Sequence, residues 1–233
     1  KAACELLSLL RKSADTLDIT GGEPLLREDI ETLLGHARAI GFRTILNTKG
    51  IGLSDRPGIL ELVDVLVLSI DSLQAGRLSE VLGQSESTAS GVLDTLRQLM
   101  DAAPKMRSRL VLASVATPDN LPDVLDVLRL AERKGCGFQI SPQIAGTMIH
   151  PRLRNNPGFS RLVDEVIAAK RRKTGVMGIP EYLRGIRNVA PFECHPMLMP
   201  TIRPDGALYY PCLEKGRTRV NILRAGGYEE ALA

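Results

Sequence analysis

Residues 17–27 read LDITGGEPLLR, an apolar stretch that runs straight into Gly-Gly-Glu-Pro. Adjacent glycines remove the Cβ atoms that would keep a ligand off the backbone, Glu23 offers an anionic acceptor, and Pro24 stiffens the turn. As chemistry, Gly21, Gly22, Glu23 and Pro24 suit a small molecule that carries a positively charged amine. The same four residues also suit a plain tight turn in which Glu23 places negative charge at the start of a helix. Other candidates end later apolar runs: Asn47, Thr48 and Lys49, then Ser69 and Asp71, then Ser114. Cysteines stand at positions 4, 136, 194 and 212, with His195 beside the third. Cys4 lies in the helical pattern AACELLSLLRK, and Cys136 opens an apolar run, so both read as packed thiols. A lone histidine beside a cysteine reads as a hydrogen-bonded surface group.

Those residues need elements to hold them. From residue 16 to 144 short β-branched runs alternate with longer amphipathic ones, the mark of βα units and a parallel sheet. Five strands are predicted, at 17–20, 43–47, 65–70, 109–116 and 137–141. The runs VDVLVLSI and LVLASV are almost wholly apolar, as expected of strands covered on both faces. Helices are predicted at 28–40, 87–100 and 121–133, the first stopped by Gly41. Right-handed crossovers then allow an open doubly wound sheet or a curved partial barrel, and in either one ligands sit at the carboxyl ends of the strands. Asp71 closes the third strand, whereas Asp64 opens it and reads as a turn or cap residue. Residues 141–158 read as a long loop and 159–173 as a helix ending in KRRK, where the charges complement the helix dipole. Near the end, Pro204-Asp205-Gly206 is a turn joining strands at about 198–203 and 207–210 into a hairpin.

Composition narrows the classes of function. The 233 residues hold 30 Lys and Arg against 27 Asp and Glu, a net charge of +3 with the two signs interspersed. A basic stripe is lacking, aromatics are 3% and Trp is absent, so a nucleic-acid module is disfavoured. At 44% apolar the chain can bury a large core. No apolar run approaches a membrane span, and four unevenly spaced cysteines make no secreted disulfide framework, so a cytoplasmic location is expected. The opening carries no signal-peptide core and reads as starting in mid-domain. Nucleophile elbows, HExxH sites and Walker loops are absent, which leaves those hydrolase and triphosphatase routes without support.

In order along the chain, Gly-Gly-Glu-Pro, LNTKG at 46–50, LSIDS at 68–72, SVATPDN at 114–120 and FQISPQ at 138–143 resemble the radical S-adenosylmethionine (SAM) superfamily. The resemblance covers residues 17–143 and implies a partial (βα)6 TIM-like barrel of which strands two to six are visible, with a small C-terminal β-hairpin extension. It implies that Gly21, Gly22 and Glu23 hold the amine of SAM beside Pro24. Asn47 or Thr48, Ser69, Asp71 and Ser114 would then meet the rest of that ligand. Lys49 departs from the Asn common in the family. The family's Cys-x3-Cys-x2-Cys loop, which binds a 4Fe-4S cluster, is not in the sequence, and the resemblance would place it just before Lys1. A barrel lacking that unit is expected to expose a strand edge and to be marginally stable.

The tail resembles the opening of a SPASM or Twitch extension, with Cys194 and Cys212 as ligands of an auxiliary Fe–S cluster at one end of the hairpin. The implied organisation is a barrel over 1–150, a helical linker over 151–190 and an incomplete extension over 191–233. The implied activity is reductive cleavage of SAM to a 5′-deoxyadenosyl radical that modifies a peptide, cofactor or metabolite, fed by a flavodoxin or ferredoxin. Two alternatives stand beside it: a cluster-free protein that binds SAM or another small molecule, and an aldolase-like barrel with Lys49 as its strand-end lysine.

Overall fold

The computed structural model describes residues 2–103, 106, 108–190, 199–210 and 217–232. Helix α1 (Ala2–Leu10) leads into β1 (Thr16–Ile19), followed by α2 (Ile30–Ala39), β2 (Arg43–Thr48), the short α3 (Ile59–Leu62) and β3 (Val65–Ser69). Then come α4 (Ala75–Leu82), α5 (Glu86–Ala102), β4 (Arg109–Ala116), α6 (Leu121–Lys134) and β5 (Gly137–Pro142). The five strands form one sheet in the order β1-β2-β3-β4-β5, every neighbouring pair parallel.

That order decides between the two architectures the periodicity left open. Strands that follow one another without reversal put every right-handed crossover on the same side of the sheet, so helices cover one face and the other becomes the inside of a partial barrel. Burial follows this division. Leu66 and Leu68 of β3, Leu110 and Leu112 of β4, and Phe138 and Ile140 of β5 join the main core with residues of α5, α6 and later helices. The alternate residues Val65, Val67 and Val111 pack with Ile45, Ala113 and Met177 in a separate cluster on the concave face. Both faces of the central strands are therefore apolar, which is why their sequences show no alternation.

Helix ends follow local chemistry. Ser85 Oγ accepts the Thr88 N–H at 3.1 Å at the start of α5, and Gly135, at φ 68°, closes α6 in the left-handed conformation.

The stretch expected as a long loop is partly ordered. It makes a two-stranded hairpin, β6 (Ile144–Ala145) with β7 (Met148–Ile149), whose turn uses Gly146 at φ 65°. Within 151–190 lie α7 (Pro157–Arg171) and α8 (Pro180–Asn188), whose Phe159, Leu162, Val166, Leu183 and Ile186 belong to the main core. Between them the chain returns beside β5: Met177 N–H donates to Phe138 O at 2.7 Å, and Val176 bridges Phe138 in parallel. Gly175 allows this close return, since a Cβ there would stand 3.2 Å from Cys136 O at a φ of +81°.

The C-terminal hairpin is present and gains a strand. β8 (Thr201–Ile202) pairs with β9 (Ala207–Tyr210), which pairs with β10 (Arg217–Asn221), all antiparallel. The short helices α9 (Ile222–Ala225) and α10 (Tyr228–Leu232) follow. Leu208 and Ile222 from this unit share a core with Leu6, Leu7 and Leu10 of α1 and with Ala37 and Phe42. The unit is thus docked on the helices that flank β1. Ile222 is fully buried there, so Ile222→Ala should lower the unfolding free energy by about 2–5 kcal/mol in urea titration. A loss below ~1 kcal/mol would mean that the unit is not packed on α1.

Candidate functional site

The carboxyl end of β1 becomes a single 3-10 turn, Pro24–Leu26, with Glu23 at its cap. Pro24 suits the first position of such a turn, where its missing N–H is not needed. The Glu23 carboxylate is the centre of the local geometry. Its Oε1 accepts the Leu25 N–H at 3.0 Å and the Thr48 hydroxyl at 2.6 Å, and its Oε2 accepts the Lys49 N–H at 2.7 Å. Thr48 is 2% exposed, and its hydroxyl oxygen also accepts the Gly50 N–H at 2.9 Å. One side chain therefore joins the loop after β1 to the end of β2.

Glycines shape what remains open. Gly21 has φ +130°, a conformation that L side chains rarely adopt, and a Cβ built on Gly21 or Gly22 would meet no atom within 4 Å. Among the described residues the backbone groups of Gly21 and Gly22 make no hydrogen bond. A carboxylate has about four acceptor positions, of which Glu23 uses three. Two peptide carbonyls and one carboxylate lone pair are thus free, matching the three donors of an ammonium group.

The other sequence-named residues divide by strand parity. Asn47 lies on the concave face and donates from Nδ2 to Asp18 Oδ1 at 2.5 Å. Ser69 follows the outward Leu68 and so takes the concave face at the end of β3. Asp71, just beyond, accepts the Val115 N–H at 2.7 Å and so ties the ends of β3 and β4. Burial pushes its carboxyl above the ordinary value, while the Val115 N–H and the Lys49 charge pull it back down. Ser114 is turned away: it is 3% exposed on the helical face, and its hydroxyl donates to Ile70 O at 2.5 Å. Gly21, Gly22, Glu23, Pro24, Thr48 and Lys49 are brought together, Asn47, Ser69 and Asp71 border the same strand ends, and Ser114 does not join them.

Asp18, the hydrogen-bond partner of Asn47, is a neighbour of these residues that sequence reasoning misses. The available signal is a carboxylate alternating with Leu17 and Ile19 just before the two glycines. Partial burial raises its pKa, opposed by the Asn47 hydrogen bond.

Cys4 sits on α1, and Cys136 is buried at 4% exposure with its thiol pushed up by burial. Asp64 accepts the Thr44 N–H at 2.8 Å at the amino end of the sheet. Cys194, His195 and Cys212 lie outside the described residues. Among the described residues no group of three His, Cys, Asp or Glu could hold a metal ion, and no helix is long and apolar enough to cross a membrane.

No family model matches the chain. Solved structures share its fold. Streptococcus suis SuiB bound to S-adenosylmethionine superposes with a TM-score of 0.67 at 16% identity, over 95% of this chain and 56% of SuiB. SuiB bound to the precursor peptide SuiA gives 0.64 at 15%, over 94% and 55%. Polyhistidine-tagged anSMEcpe with bound AdoMet gives 0.67 at 15%, over 99% and 67%. The chain spans little more than half the length of SuiB. At such identities the shared property is the fold: a parallel partial barrel with a C-terminal antiparallel sheet.

Two outcomes test the site's physics. Removing the hydroxyl in Thr48→Val leaves Glu23 and the Gly50 N–H each short of a partner, so stability should fall by about 1–3 kcal/mol in chemical denaturation. The second concerns Asp71, whose folded pKa stands above its ordinary 3.8. The folded state then binds the proton more readily, so the ionised carboxyl lowers stability as pH rises through the folded pKa. Asp71→Asn retains an acceptor for Val115 and should raise the thermal midpoint at pH 7, with the gain vanishing below about pH 3.8. A midpoint that falls at pH 7 would show that the ionised carboxyl stabilises the fold.

Proposed function

We propose that this chain is the SAM-binding part of a radical SAM enzyme. The observation that carries the reading is the loop 21–23: open backbone at two glycines, next to a carboxylate fixed on three sides with one lone pair to spare. A methionine ammonium with three donors finds three acceptors there, the Gly21 and Gly22 carbonyls and Glu23 Oε2. Asn47 and Ser69 on the concave face and Lys49 at the end of β2 stand where the carboxylate and ribose of the same ligand would be met, with Asp71 at the rim. Support comes from the ordered motifs and from a fold shared with two structures that hold SAM.

A 4Fe-4S cluster supplies the electron for SAM cleavage in this class of enzyme. The described residues do not offer it a site: Cys4 stands alone on α1, and no metal-holding group is formed among them. Their part is to bind SAM, orient it and keep water from the strand ends. Cys194 and Cys212 are assigned by resemblance to an auxiliary cluster of a SPASM-like extension. A peptide is the favoured substrate class over a free metabolite, since one structure of this fold holds a precursor peptide. A flavodoxin or ferredoxin would serve as the electron source.

A cluster-free protein that binds SAM would use the same loop. Anaerobic reconstitution of the full-length protein separates the two, because an EPR signal that shifts on adding SAM belongs to the enzyme alone. Both require SAM binding. Gly22→Val places a branched side chain in the open space at the loop, where a Cβ meets no protein atom. The fold should tolerate it while SAM affinity drops at least about tenfold by calorimetry, equivalent to ~1.4 kcal/mol. Unchanged affinity in this variant, or no binding by the wild type, would sink the proposal.

A further inference from the structure

The end of the sheet opposite the glycine loop gathers cations. A crossover helix leaves the carboxyl end of one strand and finishes at the amino end of the next, so the last turn of α6 lies there, at the start of β5. Printed contacts fix its neighbours. Arg172 Nη2 pairs with Glu132 Oε1 at 2.7 Å between the ends of α7 and α6, and Lys134 Nζ pairs with Asp101 Oδ1 at 2.9 Å across to the end of α5. Beside those two pairs stand Arg133, Arg171 and Lys173, all exposed and none in an ion pair among the described residues. Arg109, exposed at the start of β4, lies level with Gly135, because Val111 pairs with Gly137.

The excess of charge is local. Residues 132–134 and 170–173 hold six Lys and Arg, met there by Glu132 and Asp101, a surplus of four positive charges where the whole chain carries +3. The remainder of the molecule is therefore net negative. A helix dipole places only about half a negative charge at its C-terminus, so the ends of α6 and α7 together offset about one of the four. Lys173 adds a second sign. It follows α7 at φ 61°, in the left-handed conformation that Gly135 takes at φ 68° at the end of α6. Glycine is the usual residue at such a position, and here the chain keeps a charge instead.

We propose that this face docks a short acidic segment of a partner polypeptide. Packed helices lie about 8–10 Å apart, so the cations at the ends of α6 and α7 form a compact patch rather than the long basic stripe that a nucleic-acid duplex requires. An extended segment repeats its side chains on one side every 6–7 Å or so, and a few carboxylates on that side match the patch. Complementary charge of this kind selects and steers a partner. Docking here leaves the glycine loop open, one strand length away, roughly 16 Å for the five residues of β3. The inference therefore stands apart from the SAM reading.

The test uses two fluorescein-labelled peptides, one of alternating Ser and Glu and one of alternating Ser and Gln, titrated with the full-length protein at low ionic strength and followed by anisotropy. Wild type should bind the Glu peptide at least fivefold more tightly than the Gln peptide, and added salt should erode that preference. The double variant Arg133→Glu with Arg171→Glu should bring the two peptides within twofold. The matched variant Arg154→Glu with Arg161→Glu, which makes the same change in net charge near the start of α7, should keep the preference. Thermal midpoints report whether the variants fold, and Arg133→Gln with Arg171→Gln serves as a second pair. Equal affinity for the two peptides in wild type, binding of neither, or a preference lost equally in both Glu pairs would overturn the proposal. Tighter binding of a DNA duplex or of phosphatidylglycerol vesicles than of the Glu peptide would also overturn it, by giving the face to another class of partner. A wild type that prefers the Glu peptide but does not bind SAM would remove the SAM reading and leave this assignment standing.

Discussion

A carboxylate in a half-buried loop must find donors, and Glu23 finds three: a peptide N–H in its own turn, a buried hydroxyl and a second peptide N–H at the end of the neighbouring strand. Charge-assisted bonds of this kind are stronger than neutral ones. Here they join two chain segments 25 residues apart. Thr48 can serve only because β2 is in register with β1, with Ile19 opposite Leu46. The sheet therefore sets the geometry of the loop, and the loop sets which backbone groups stay free.

Segregation of the two sheet faces provides the second constraint. Leu66, Leu68, Leu110 and Leu112 bury one face under helices, and the chain reaches α7 and α8 before that cover is complete. The concave face retains a smaller apolar cluster and carries its polar groups toward the strand ends: Asn47, Ser69 and Asp71. Such polar groups lower the stability that hydrocarbon would give, and the Asp71 carboxyl, pushed up by its burial, is the electrostatic sign of that cost.

Much of this was legible in the sequence, for identifiable reasons. The central parallel strands announced themselves because burial on both faces makes long β-branched runs, and the crossover helices because one face of each is apolar. Elements defined by few apolar residues or by their partners were not visible. α4 buries only Leu78 and Leu82, the 144–149 hairpin exposes its apolar residues, and β10 owes its conformation to pairing with β9. The glycine loop was readable as a motif, but the anchoring of Glu23 depends on a hydroxyl that only strand pairing brings near. Ser114 shows the limit most plainly. With Leu110, Val111 and Leu112 all buried in β4, no alternation tells which face the serine takes, and it takes the helical one.

The proposed grip of residues 21–23 on the amino group of SAM is tested by a crystal structure of the full-length protein with SAM. The methionine nitrogen should then stand about 3 Å from the Gly21 or Gly22 carbonyl and from Glu23 Oε2. SAM seated away from the end of β1, or with its amino group held by other residues, would contradict it.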